Sequence, residues 1–197
     1  MPGPSVRSTQ AHPDRFHHGT PMLISKAMNA AINAQIGREF GAEMQYVQIA
    51  SYFDSEGLPM LARHFFRQAE EEREHAMKFV RHLLDADGDV AVPTIPAPQP
   101  AFGSAEEAVQ KAVDWEVEVT RQINELADLA VKERDHITKG FLDWFTQEQL
   151  EEVSSMETLL RMVRRAGEQG LLFVESYLAG GHGVGDGGAG PKARAEP

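Results

Sequence analysis

A proline-rich stretch in the middle of the chain restricts the possible folds more than any other feature of the sequence. Between Val90 and Phe102 lie four prolines that favour an extended polyproline conformation over a helix, namely Pro93, Pro96, Pro98 and Pro100. About thirteen such residues, at ~3.1 Å each, reach roughly 40 Å. A helix of about 27 residues, rising ~1.5 Å per residue, has a similar length. The stretch can therefore run the full length of a helical bundle and leave the helices before and after it parallel.

On both sides of this stretch, apolar residues recur with the period of an amphipathic helix, and no β-type alternation of useful length is found. The pattern predicts long helices over about 22–53, 58–86, 104–132 and 137–166, and a short fifth helix over Leu171–Ala179. Pro59 at a first-turn position and a capping box of Ser104 with Glu107 fit these boundaries. The first two helices are joined by a short turn, as are the last two long ones, so each pair should be antiparallel. The predicted fold class is all-α, a four-helix bundle with one long crossover.

Composition limits the function classes. With 19 Lys and Arg against 30 Asp and Glu, the net charge is −11, which argues against nucleic-acid binding and suits a protein that handles cations. The chain has no cysteine, which excludes a thiolate zinc site, an iron–sulfur cluster and a Cys nucleophile. We find no secretory signal and no apolar run of membrane-spanning length, so we expect a cytoplasmic protein without membrane contact.

The two ends differ from the middle of the chain. Residues 1–21 and 180–197 are rich in Pro, Gly and polar residues and contain too little apolar surface to offset the entropy of ordering. We therefore expect a single domain over 22–179 between two disordered extensions.

Each of the four long segments places one glutamate on its apolar stripe: Glu39, Glu72, Glu116 and Glu152. Four buried carboxylates repel one another unless cations lie between them, and two divalent ions would balance four charges. His75 follows Glu72 by three residues and lies on the same face. Oxygen-rich ligation with one imidazole suits iron or manganese. The alternative is a solvated acidic face, which we prefer for the second Glu-x-x-His pair, Glu133 and His136, because it lies where the third helix should turn into the fourth.

Several motifs in this order resemble the non-haem bacterial ferritins over about 22–179. They are Arg38-Glu39-Phe-Gly-Ala-Glu-Met-Gln-Tyr46, Glu70-Glu71-Glu72-Arg-Glu-His75, Gln122-Ile-Asn-Glu-Leu126 and Trp144-Phe-Thr-Gln-Glu148-Gln149-Leu-Glu151-Glu152. The resemblance implies a ferritin-like bundle that assembles into a homo-oligomeric shell, expected to be a 24-mer. Such a shell oxidises Fe(II) with O2 or H2O2 at a diiron centre and stores it as ferric mineral.

The resemblance also implies roles for individual residues. Glu39, Glu72 and His75 would hold the first iron, and Glu72 would bridge to a second iron completed by Glu116, with Gln149 and Glu152 beside it. Tyr46 corresponds to the tyrosine next to the diiron centre. A third iron position would be formed by Glu71, Glu148 and Glu151, with Glu152 shared. The residues expected to act directly in oxidation are Tyr46, Glu72, His75 and Gln149.

Two departures from neighbouring families narrow the interpretation. The fourth helix carries Gln149-Leu-Glu-Glu152 and no second Glu-x-x-His, unlike bacterioferritins and permanent diiron enzymes. Arg73 stands where a bacterioferritin has its haem-binding methionine, so no haem is expected. Two other functions stay open: a diiron oxygenase-like enzyme, and a non-catalytic helical subunit or encapsulated cargo with solvated carboxylates.

Overall fold

The structure, a computed structural model, describes residues 23–180 and consists there of helices joined by turns and one long crossover. The helices are α1 (Lys26–Ser55), α2 (Pro59–Asp85), α3 (Ala105–Glu133), α4 (His136–Ala166) and α5 (Leu171–Ala179), with a single 3₁₀ turn, Glu168–Gly170, before α5. The all-α fold class is confirmed. The expected disorder of 1–21 and 180–197 concerns residues that, except for Gly180, lie outside the described part, and the predicted domain boundaries stay a prediction.

Local signals explain where the helices begin and end. α1 begins at Lys26, later than the expected residue 22, because the Ser25 hydroxyl accepts a hydrogen bond from Met28 N (3.0 Å) and caps the helix. The Ser104 hydroxyl caps α3 through Glu107 N (3.1 Å), as predicted, but the Glu107 carboxylate binds Gly103 N (2.7 Å) and not the Ser104 amide. The Glu107 carboxylate therefore accepts from the amide one residue before the N-cap, and only the serine half of the capping box forms as predicted.

The crossover between α2 and α3 lies along α1 and is bound to it by side-chain amides. Asn29 and Asn33 bind the backbone at 89–91, and Gln45 Oε1 accepts a hydrogen bond from Gln99 N (2.9 Å). A Cβ on Gly37 would overlap the ring of Pro93, so this glycine allows the crossover to approach the helix. Because the crossover begins near the start of α1 and ends near its last turns, α2 and α3 are parallel, as the prolines predicted.

The core of the bundle has three parts. One apolar cluster lies at the end that holds the α1–α2 turn and α5, and includes Phe53 and Phe65; the other lies at the opposite end and includes Phe79 and Phe145. Between them is a layer of buried polar side chains. This layer contains the glutamates that the sequence placed on the helical stripes.

The fifth helix is attached to the bundle through its buried acidic residue. The Glu175 carboxylate accepts hydrogen bonds from the backbone amides of Met60 and Leu61, both at 2.8 Å. α2 has no side-chain cap of its own, since Leu58 stands at its N-cap position. Glu175 therefore supplies the cap for α2. The opposite face of α5 exposes Leu172, Phe173 and Tyr177. No described helix is both long and apolar enough to cross a membrane.

Candidate metal centre

The polar layer brings together one glutamate from each long helix. Glu39, Glu72, Glu116 and Glu152 are between 1% and 7% exposed, and His75 is 3% exposed. Burial of an ionised carboxylate is costly unless it is neutralised, paired or bound to a cation. Within the described chain no Lys or Arg forms an ion pair with any of the four. The layer therefore concentrates carboxyl groups whose ionised forms have no ion-pair partner among the Lys and Arg side chains of the described chain.

Potential ligand atoms within this layer lie close enough to share a cation. Two sets of three residues have ligand atoms within 4.8 Å of one another. The first group is Glu39, Glu72 and His75, and the second group is Glu72, Glu116 and Glu152. Glu72 belongs to both groups, and its role as a bridging ligand stays a prediction. His75 Nδ1 lies 3.2 Å from Glu72 Oε2 and 3.7 Å from Glu152 Oε1, so it lies where the two groups meet.

Burial changes the protonation of these side chains. It raises the pKa of Glu39 to about 7, and raises the pKa values of Glu72, Glu116 and Glu152, with repulsion from Glu116 adding to the shifts of Glu72 and Glu152. Burial also lowers the pKa of His75 to about 3, aided by Lys78. His75 is therefore neutral at physiological pH and has a lone pair available for a cation.

Tyr46 and Gln149 surround the second group. The fully buried Tyr46 hydroxyl donates a hydrogen bond to Glu116 Oε1, and burial raises the pKa of this phenol, which keeps it protonated. Gln149 Nε2 donates to Glu152 and lies 3.5 Å from Glu116 Oε2, while Gln149 Oε1 accepts from the Thr120 hydroxyl (2.9 Å). The nitrogen of this amide thus faces the carboxylates. In this arrangement Gln149 is a hydrogen-bond donor, and its role as a metal ligand stays a prediction.

The residues expected at a third iron position are only partly brought together. Glu148 and Glu152 form, with His75, a third group whose ligand atoms lie within 4.8 Å. Glu71 and Glu151 belong to no such three-residue group in the described chain. Burial raises the pKa values of Glu71 and Glu148, and repulsion from Glu151 adds to both shifts. Glu151 therefore lies near both of these side chains. The Glu71 carboxylate is bound by Gln68 Nε2 and by Arg67 (3.6 Å) on its own helix.

Three residues that contact this layer or its ligands were not predicted to have a role at the site. Gln35 binds Glu39, Arg38 binds Gln35, and Thr120 binds Gln149. Gln35 was visible as a polar residue on the apolar stripe of α1, four residues before Glu39. The Glu133 and His136 side chains are exposed, which agrees with the interpretation of that pair as surface.

A bundle of four helices whose interior holds four carboxylates and an imidazole is typical of the class of carboxylate-bridged metal proteins. Comparison with known proteins identifies the family within that class. The profile of the family described as Ferritin-like domain matches residues 29–166, and the chain belongs to this family.

Individual relatives agree with that assignment. The chain is 44% identical over 156 residues to the ferritin BfrB of Mycolicibacterium smegmatis, covering 79% of this chain and 86% of the relative. It is 34% identical to a bacterial non-heme ferritin of Staphylococcus aureus, covering 74% and 88%. The structure of an open pore ferritin from Archaeoglobus fulgidus superposes with a TM-score of 0.77 at 35% identity, covering 79% of this chain and 98% of the other. The predictions of a ferritin fold, of iron storage and of ferroxidase activity are confirmed at the level of the family.

Proposed function

We propose that the polar layer is a two-iron ferroxidase centre in which Glu39, Glu72 and His75 bind the first Fe(II). Glu72 also reaches the second Fe(II), which Glu116 and Glu152 complete. O2 or H2O2 accepts one electron from each iron, two in all, and the protein supplies position and charge balance. The observation that carries the proposal is the set of four buried glutamates with which no Lys or Arg of residues 23–180 forms an ion pair, since two divalent ions would balance the four ionised carboxylates.

Oxidised iron needs a route out of the bundle, and we place it along α4. The third group shares His75 and Glu152 with the two iron positions, and adds the partly buried Glu148. Glu71 and Glu151 lie close enough to Glu148 to repel its charge, so they extend this acidic group. A ferric ion displaced from the centre would meet successive carboxylates, which suits a storage protein better than an enzyme that retains its irons.

Storage also needs a closed container, and we propose a homo-oligomeric shell of about 24 chains. Support comes from the exposed apolar face of α5, where Phe173 is 81% and Leu172 is 70% exposed. A helix this short gains stability from packing against other chains. Native mass spectrometry at micromolar concentration should show the large assembly, and a monomer or simple dimer would contradict it. The cytoplasmic location expected from the sequence stays a prediction.

Titration of the metal-free protein with Fe(II) in air separates the candidate functions. A storage ferroxidase takes up far more iron than its binding sites hold, on the order of thousands of ferric ions per shell. An oxygenase-like enzyme stops at about two per chain, and a non-catalytic subunit oxidises none. Uptake that ends at two irons per chain would contradict storage while leaving the metal centre intact.

A further inference from the structure

Two side chains of α1 connect the surface of the bundle to the first group. Gln35 is fully buried one turn before Glu39, and its Nε2 donates a hydrogen bond to Glu39 Oε1 at 2.8 Å. Arg38 is half-buried, and its Nη1 donates to Gln35 Oε1 at 3.1 Å. The three residues therefore form a chain of hydrogen bonds that ends on a proposed iron ligand.

Arg38 determines the direction in which these hydrogen bonds are donated. Arginine only donates hydrogen bonds, so Arg38 can bind the oxygen of the Gln35 amide and not its nitrogen. With that oxygen occupied, the NH₂ group of Gln35 must face Glu39. The reversed amide would place an acceptor against the carboxylate and two donors against each other, which buried polar groups avoid.

The effect on Glu39 is to distinguish its two oxygens. Oε1 is held by Gln35, whereas Oε2 is buried and accepts no hydrogen bond from an amide, hydroxyl or guanidinium group of the described chain. The neighbouring carboxyl of Glu72, which is also in the first group, lies within hydrogen-bonding reach of Glu39. A carboxylate fixed at one oxygen has lost its side-chain freedom before a cation arrives, and at the other oxygen the cation displaces no amide or hydroxyl donor.

We propose that Gln35 is a positioning residue for the first iron: held by Arg38, it anchors Glu39 Oε1 and leaves Oε2 to bind the metal. This inference rests on the proposed function, because it takes Glu39 as an iron ligand. Carboxylates that bind metals are commonly oriented by hydrogen bonds from residues outside the ligand set. Gln35 and Arg38 would have this role for Glu39.

The test measures cation binding to the metal-free protein and needs no turnover. Co(II) is the probe, followed by calorimetry and by its visible absorption spectrum, which reports the ligand geometry. Q35L should weaken the tighter Co(II) site about tenfold and change its spectrum, with the weaker site unaffected. The matched control is Q45L, which removes another buried amide of α1 that binds the crossover and not the metal centre. It should bind Co(II) as the native protein does.

Variants of Arg38 keep the test valid if Q35L fails to fold. Arg38 is half-buried, so R38L should fold, and it should weaken the tighter site by a few-fold because the oxygen of the Gln35 amide is then no longer held in place. R38K, which retains a cationic donor, should recover most of this loss. Native affinity and spectrum in both Q35L and R38L would overturn the inference, and so would an equal loss in Q45L. If the native protein itself binds no Co(II) or Fe(II), the proposed function fails instead.

Discussion

The first and second groups share Glu72 but differ in how their other carboxylates are held. In the first group, Glu39 is bound at one oxygen by Gln35, and its other oxygen accepts no hydrogen bond from an amide or hydroxyl group of the described chain. In the second group, Tyr46 binds one oxygen of Glu116, and the Gln149 amide lies 3.5 Å from the other. A cation at the second group must therefore displace hydrogen bonds from Tyr46 and Gln149, whereas a cation at the first group meets the contact between His75 and Glu72 (3.2 Å).

The ligand chemistry differs in the same direction. The first group includes the neutral imidazole of His75, whereas the second consists of carboxylates alone, two of which are bound by Gln149 or Tyr46. Imidazole is a good ligand for Fe(II), whereas at the second group Tyr46 and Gln149 compete with the cation for the carboxylate oxygens. We therefore expect ordered occupancy, with one tightly bound iron followed by a weaker, exchangeable one. A storage protein benefits from that difference because the weaker position releases its oxidised iron.

The largest effect is expected when both groups are removed together. Glu72→Ala combined with His75→Ala deletes the shared carboxylate and the imidazole, so fast Fe(II) oxidation should fall at least about 100-fold while the shell persists. Stopped-flow absorbance measures the rate, and native mass spectrometry measures the assembly. The exposed pair Glu133→Ala with His136→Ala is the control, since it has the same spacing and composition. Oxidation at the native rate in the Glu72 and His75 variant would refute the assignment of the centre.

A smaller effect is expected from a substitution that brings the Fe(II) affinity of the second group closer to that of the first. Gln149→Glu adds a charged ligand to the second group and removes the amide hydrogen bonds to its carboxylates. The second iron should then bind about tenfold tighter, equivalent to about 1.4 kcal/mol, and turnover after the first two oxidations should slow. Anaerobic calorimetry with Fe(II) measures both affinities.

The control for this change is Gln147→Glu, which adds the same charge at an exposed position of α4. It should leave both affinities unchanged. Two equally tight sites in the native protein would contradict the ordered occupancy from which the prediction starts.

The smallest effect should come from the phenol that binds Glu116. Tyr46→Phe keeps the buried ring and removes only the hydroxyl, which frees Glu116 Oε1 for the second cation. Second-site affinity should rise by roughly threefold, within the worth of one hydrogen bond. Tyr52→Phe is the control, because Tyr52 packs against Phe102 away from the metal centre. A weaker second site in Tyr46→Phe would show that the phenol supports the cation, contrary to the hydrogen-bond argument.

Sequence patterns were sufficient for the architecture because their signals are local. Proline conformation determined the crossover, and helical period placed Glu39, Glu72, Glu116 and Glu152 on buried faces. The orientation of the Gln149 amide and the contact of Arg38 with Gln35 were not predictable, because each depends on rotamers that only the packed bundle selects. The same reason separates Glu71 and Glu151 from Glu148: helical phase brings them near, but side-chain direction decides which carboxylates can share an ion.

The Glu175 cap has a consequence for the order in which the chain acquires its structure. During synthesis, the first turn of α2 is made more than a hundred residues before the carboxylate that satisfies its amides. Until the C-terminal segment has left the ribosome, the Met60 and Leu61 amides depend on water, and the α1–α2 end of the bundle stays open to fraying. We therefore expect that the start of α2 becomes stable only after α5 has docked. A nascent or truncated chain without α5 would keep a frayed end there and would lack the surface that α5 offers to neighbouring chains.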